Sequence, residues 1–206
     1  MRLVIASMKG GTGKSTVAFN LAVWLSYRLD SPLQLYDLDP QSTLNDVCEL
    51  REEFEYEPSL QCHTTLSKQS MDAEAYAIFD TSFSNPKALH AALRKADLTL
   101  LPVGPSQADV WSAQRYLQLI GKNSDMPIKA FINRADTHHA IKESDQAAEA
   151  LHQLEGIEVL DVRLYQRTAY RRSLSEGLGV FELQPRSKAS REIEALASQL
   201  FPEFVE

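Results

Sequence analysis

Cysteine is nearly absent from this sequence. Two occur in 206 residues, Cys48 and Cys62, well apart and without a partner at Cys-x-x-Cys spacing or a histidine at ligand spacing, which argues against a disulfide framework and a structural zinc site. His138 and His139 are adjacent in a polar stretch and read as solvated side chains. No apolar run is long enough to cross a bilayer, and Met1 leads into a strand-like segment without the charged, apolar and small-residue order of a secretion signal. A soluble, reduced, cytoplasmic protein is expected. No internal repeat, low-complexity tract or Pro/Gly/Ser-rich linker divides the chain, so a single domain over 1–206 is expected.

A surplus of positive charge is also missing. The formal net charge is −7, which excludes general stickiness to nucleic acid, but the charge is unevenly spread. Between Asp46 and Asp80 nine acidic residues face only Arg51 and Lys68, and the stretch from Glu49 to Pro58 reads as irregular surface. Between Arg163 and Arg191 seven basic residues face Glu176 and Glu182, making the C-terminal third a candidate polyanion surface.

What is present is a repeated pattern. Short apolar runs at Leu3 to Ala6, Leu33 to Tyr36, Tyr76 to Phe79, Leu98 to Val103, Ile128 to Ile132 and Ile157 to Leu160 suit strands buried on both faces. Between them lie helix-period sets, Ala18, Leu21, Ala22 and Leu25, then Ala147, Ala148, Leu151 and Leu154. Strands alternating with helices predict an α/β fold, a mostly parallel twisted sheet with helices on both faces and the ligand beyond the C-terminal strand ends.

The sharpest motif follows the first run: Lys9-Gly10-Gly11-Thr12-Gly13-Lys14-Ser15-Thr16, opening a helix. Glycines let backbone N–H groups face a phosphate and the helix N-terminus adds partial positive charge. Lys14 can reach the β- and γ-phosphates of a nucleotide, the Ser15 hydroxyl can ligate magnesium, and Thr16 can meet the α-phosphate. The usual G-x-x-x-x-G-K-[ST] pattern has glycine where Met8 stands, so this is a variant phosphate loop of the P-loop NTPase class. Ala77-Ile78-Phe79-Asp80 fits the strand that delivers one magnesium-holding acid, usually through water.

Together these residues resemble the ParA/MinD family of deviant Walker A ATPases, in particular its small ParF-like partition proteins, with motifs in family order from Leu3 to about Glu182. The resemblance implies that Lys9, the extra lysine, reaches the nucleotide of a partner subunit in an ATP-bound homodimer. Tyr36-Asp37-Leu38-Asp39-Pro40-Gln41-Ser42 looks like the family's switch segment, which implies that Asp39 positions the attacking water and Asp37 belongs to the outer magnesium shell. Asp39-Pro40 also reads as a helix N-cap followed by proline at the first helical position. The segment from Ala96 to Asp109 is similar to the family's Ala-Asp-x-x-x-x-Pro-Val-x-Pro-Ser strand and loop, which lead to a helix facing the dimer partner. Ile132-Asn133-Arg134 resembles the pair that meets the adenine ring; the other reading of Asn133 is a loop cap. Where the family has prolines after Asp-Thr, this chain has Thr81-Ser82-Phe83.

By the same resemblance the protein is expected to hydrolyse ATP with Mg2+ slowly on its own and to dimerise on ATP. The dimer would bind nucleoid DNA non-specifically through Arg167, Arg171 and Arg172, and a ParB-like or other cargo adaptor would stimulate hydrolysis. The other reading of those arginines is salt bridging to acidic neighbours. A MinD-like regulator working through a protein or membrane partner is the alternative. Its membrane form is disfavoured because the helix containing Ile193, Leu196, Ala197 and Leu200 has an acidic polar face and stops at Pro202. An iron-protein reading lacks cysteines at matching positions, and nothing suggests a synthetase pocket.

Overall fold

A computed structural model describes residues 1–66, 75–120, 126–138 and 142–205. Lys68 of the acidic region and His139 lie outside them. Seven strands form the sheet: β1 Arg2–Ile5, β2 Gln34–Asp37, β3 Cys62–His63, β4 Ala77–Asp80, β5 Leu98–Val103, β6 Ile128–Ala135 and β7 Glu158–Tyr165. Their order is β3-β2-β4-β1-β5-β6-β7 and every neighbouring pair is parallel. The first strand therefore sits in the middle, with β4 and β5 on its two sides, and the chain leaves it first toward one edge and later toward the other. That reversal opens a crevice at the C-terminal ends of the central strands.

Eight helices are described: α1 Lys14–Ser26, α2 Thr43–Glu53, α3 Pro86–Leu93, α4 Gln107–Leu119, α5 Glu143–His152, α6 Thr168–Glu176, α7 Val180–Leu183 and α8 Lys188–Leu200. Alternation along the strands sends Leu3 and Ile5 to a core shared with α1, α2, α7 and α8, while Val4 and Ala6 face a second core with α3, α4 and α5. Helix α1 is buried nearly all round, which is why its sequence is apolar on every side from Val17 to Leu25. Ile193, Leu196, Ala197 and Leu200 of α8 are buried against this first core, as their spacing predicts, and a short 3-10 turn at Pro202–Phe204 follows the helix.

Two expectations need correction. The acidic stretch from Glu49 to Pro58 is irregular only from Phe54 on: residues Glu49 to Glu53 complete α2, whose Leu44, Val47, Cys48 and Arg51 are buried while the acids face water. Nor does Asp39 cap that helix. Ser42 occupies the N-cap with a left-handed backbone, and Asp39 turns the loop by accepting a hydrogen bond from the Gln41 N–H. The two-residue strand β3 was not expected at all.

Candidate functional site

The loop from β1 to α1 forms one wall of a cavity of about 690 Å³ at the C-terminal ends of the strands. Gly13 ends the loop with φ +88°, and a Cβ there would lie 2.5 Å from the Asn133 amide nitrogen, so only glycine fits on both counts. Helix α1 then begins with no side-chain cap and no acid in its first turn. Its leading N–H groups are thus left for a ligand, and nothing competes with an anion for the positive end of the dipole. Met8, where the usual pattern has glycine, is half-buried and packs against the second core.

Lys14 is almost completely buried, with Nζ 3.8 Å from Asp39 Oδ2. Asp80, at the end of β4, is fully buried and in register with both Ile5 and Asp37. Neither Asp80 oxygen has a hydrogen-bond partner. Burial pushes its carboxyl up to about 7, although the Ser15 hydroxyl and the Lys14 ammonium pull the other way. An uncompensated buried carboxylate is a costly arrangement that a cation relieves. Ser15, Asp37 and Asp80 offer only oxygens, the donors a hard divalent ion takes. Among the described residues there is no cluster of three or more metal-ligating side chains, so an ion here would complete its shell with water and the ligand's phosphates.

Asp37 is buried too, and its two oxygens are engaged: Oδ1 accepts from the Asp39 N–H at 3.1 Å and Oδ2 from the Asn45 N–H at 2.9 Å. Burial raises its carboxyl above the ordinary range against these donors. It therefore fixes the turn that carries Asp39 and the start of α2, whatever else it touches.

Lys9 projects from the loop half-exposed, and its Nζ lies 2.7 Å from Asp109 Oδ1, a carboxylate nearly buried in the first turn of α4. Burial alone would raise the Asp109 carboxyl, but hydrogen bonds from Lys9 and Ser106 outweigh it and hold it below the usual range. Ser106 and Asp109 also form a reciprocal capping box at the start of α4. Gly104 makes room for this arrangement, since a Cβ there would meet Asp109 Oδ2 at 2.5 Å.

On the opposite wall Asn133 and Arg134 come from β6. The Asn133 amide donates to the Thr12 carbonyl at 2.6 Å and accepts from the Arg134 N–H at 3.0 Å, while Arg134 Nη1 donates to the Gly11 carbonyl at 2.6 Å. Both side chains line the cavity, and both brace the phosphate loop through the groups that the sequence reading assigns to a purine edge. Arg134 Nε also donates to Gln166 Oε1 at 2.8 Å.

The far end of the cavity is made by the segment from Leu164 to Arg167, by α6 and by Ile193 of α8. Glu192 organises it: Oε1 accepts from Arg167 Nε at 2.7 Å, while Oε2 accepts from the Tyr170 hydroxyl at 2.9 Å and the Tyr165 N–H at 3.2 Å. Burial and the adjacent carboxylate drive the Tyr170 hydroxyl well above its ordinary pKa. The three arginines expected on a DNA surface are thus differently placed. Arg167 is tied to Glu192 and faces the cavity, Arg172 pairs with Glu176 at 2.8 Å, and Arg171 is exposed at the cavity rim. Sequence reading missed Asp109 as the holder of Lys9 and Glu192 as the holder of Arg167, because both pairings join distant parts of the chain and have no local signature.

Comparison with known proteins follows this geometry. The family described as the CobQ/CobB/MinD/ParA nucleotide binding domain matches residues 3–180. Maintenance of carboxysome distribution protein A of Halothiobacillus neapolitanus is 27% identical over 212 residues, covering 97% of this chain and 96% of that protein. Protein ParA of Rhizobium radiobacter is 26% identical over 223 residues, covering 99% and 97%. Among solved structures, apo McdA of Cyanthece aligns with a TM-score of 0.77 at 21% identity over 97% of this chain and 98% of that one. A plasmid partition protein of Borrelia burgdorferi B31 bound to AMPPNP aligns at 0.73 and 19% identity over 99% of both chains. At such identities the structural likeness speaks for the fold.

Proposed function

The chain belongs to the CobQ/CobB/MinD/ParA nucleotide-binding family and is an ATPase of its ParA/MinD group, and we propose that it works as a partition or positioning switch that dimerises on ATP and lets go on hydrolysis. One observation carries the reading: Lys14 and Asp39, 3.8 Å apart, line a single cavity of about 690 Å³ at the uncapped start of α1, with the buried, unpartnered Asp80 at the end of the neighbouring strand β4. In this reading the backbone from Gly10 to Gly13, with Ser15 and Thr16, cradles the phosphates, and Lys14 neutralises the β- and γ-phosphates. Asp39 orients the attacking water. Ser15, with Asp80 and Asp37 behind it, would hold magnesium, which would supply charge neutralisation at the phosphates. Lys9 leaves Asp109 and crosses to the nucleotide of a second copy, where its ammonium offsets charge developing on the transferred phosphoryl group.

The output in this reading is sequence-independent attachment to nucleoid DNA in the cytoplasm, with a ParB-like or other adaptor linking the cargo and stimulating hydrolysis. The names of the relatives, a plasmid-type ParA and a carboxysome distribution protein, frame the cargo as a plasmid, a chromosome region or a protein assembly. A dimer doubles the phosphate contacts of each chain, so weak contacts become appreciable only in the ATP state. A membrane output has no support in α8, which spends its apolar side on the core.

The experiment is binding to random-sequence duplex DNA at stated salt with no nucleotide, with ADP and with ATP plus magnesium, following dimer mass in the same samples. Binding and dimerisation appearing together only with ATP is the expected result. An ATP-dependent dimer indifferent to DNA would move the output to a MinD-like protein partner, and a monomer in ATP would overturn the switch itself.

A further inference from the structure

Between Val17 and Leu25 the apolar run of α1 is interrupted by Asn20, which is fully buried. An amide in such a place is costly unless its polar atoms find partners, and here they do. Asn20 Nδ2 donates to the Thr16 carbonyl at 2.9 Å and to Ser173 Oγ at 3.0 Å. Its Oδ1 accepts from the Val180 N–H at 2.8 Å and from the Ser173 hydroxyl at 3.3 Å. Both N–H groups and both lone pairs of the amide are therefore spent. Ser173 is the only buried residue of α6, so the one side chain which that helix buries completely meets α1 through this amide. Elsewhere α6 is held near its two ends: Arg167 and Tyr170 meet Glu192, and the Gly177 carbonyl accepts from Arg51 Nη1 at 3.0 Å.

The two sides joined by Asn20 both face the cavity. Thr16 lines it from the first turn of α1, and Tyr170, Arg171 and Leu174 line it from α6. We infer that Asn20 is a positioning residue for the nucleotide: it touches no ligand, and it sets the gap between the phosphate cradle and the α6 wall that receives the nucleoside. A nucleotide whose α-phosphate lies at Thr16 continues into ribose and base, and Asn20 bonds the carbonyl of that same Thr16 and the helix beside it. A wall already seated at one distance costs the ligand no ordering on arrival. Without the amide, α6 keeps its anchors at Glu192 and Arg51 but loses its fixed seat on α1, while the N–H groups of the loop, Lys14 and Ser15 stay in place. The inference rests on the nucleotide reading of the cavity above and deepens it by naming what fixes the span of the site.

The test is calorimetric titration of the wild-type chain, Asn20→Leu and Ser173→Ala with Mg-ATP, Mg-ADP and magnesium tripolyphosphate, the last presenting phosphates without a nucleoside. Ser173→Ala is the milder variant, since it leaves the bonds from Asn20 to Thr16 and Val180. Both nucleotides should bind Asn20→Leu about tenfold more weakly and Ser173→Ala by a smaller factor, while tripolyphosphate stays within about twofold of the wild type in both. A general loosening of the fold would weaken all three ligands alike. That outcome, or unchanged affinity for all three, overturns the positioning role. If Asn20→Leu does not fold, Ser173→Ala decides alone, and failure of that variant to fold would make the contact structural and overturn the inference too. A wild type that binds tripolyphosphate as tightly as ATP would overturn the inference and leave the phosphate cradle standing. One that binds neither would remove the cradle and the inference with it.

Discussion

Lys9 Nζ sits 2.7 Å from Asp109 Oδ1 of its own chain, so the extra lysine of the phosphate loop is held at the start of α4 before any nucleotide arrives. In the proposed crossing to a second copy, this charge must first leave its partner. Because Lys9 is half-exposed, water screens the pair and the contact is worth about 1 kcal/mol at most.

Asp109→Asn keeps the shape of the helix cap and removes the charge that restrains Lys9. The concentration at which half the protein dimerises in ATP should fall by up to about fivefold, the factor that about 1 kcal/mol commands. Sedimentation or mass photometry across a dilution series reads this directly, and an unshifted midpoint would show that Lys9 needs no release.

Lys14→Ala removes the cation buried between the phosphate loop and Asp39. Nucleotide affinity should drop by more than about a hundredfold, as expected when a charge-assisted contact to a phosphate is lost from a dry site. Calorimetric titration with ATP checks it, and retained affinity would remove Lys14 from the phosphate cradle.

Asp39→Ala should leave ATP binding in place and slow hydrolysis by about a hundredfold or more, the scale associated with a group that orients a reacting water. The ATP-bound dimer should then persist. Phosphate release and dimer lifetime measured together test the assignment; a normal hydrolysis rate would mean that another group positions the water.

Asp80→Asn separates metal binding from folding. In nucleotide-free, magnesium-free protein the change removes the charge that burial disfavours at a fully buried, unpartnered carboxyl while keeping its shape, so stability above about pH 7 should rise. The wild type should be stabilised more than the variant by Mg-ADP. Melting curves with and without Mg-ADP report both effects, and equal shifts would detach Asp80 from the ion.

Arg51→Ala tests the scaffold beneath the switch loop. Its fully buried guanidinium donates to the carbonyls of Pro58 and Gly177 at 2.9 and 3.0 Å and to both oxygens of Glu182 at 2.9 Å. Truncation strands Glu182 and should cost about 3–5 kcal/mol, lowering Tm by about 10 °C for a chain of this size. A melt unchanged to within a degree or two would contradict this.

The phosphate loop was legible because its chemistry is contiguous: glycines, lysine and hydroxyls act where they stand in the sequence. Strand β5 matches its apolar run from Leu98 to Val103 residue for residue, because a strand buried on both faces carries no competing polar signal. The acidic region misled because charge reports exposure and says nothing of backbone conformation; one face of a helix satisfies it as well as a loop does. Arg51 was counted there as surface charge, yet it is buried through Glu182, 131 positions away. Pairings of long reach, Lys9 with Asp109 among them, are set by the way the sheet folds back on itself.

The cavity joins opposite ends of the chain. One wall is the loop that follows β1, and its far wall is held by Glu192 and Ile193 on α8. On a ribosome, where the chain emerges N-terminus first, the phosphate loop is therefore available long before the pocket that completes it. A nucleotide site that needs this far wall is completed only when α8 has followed, so in the proposed reading the switch cannot be loaded before α8 has been made.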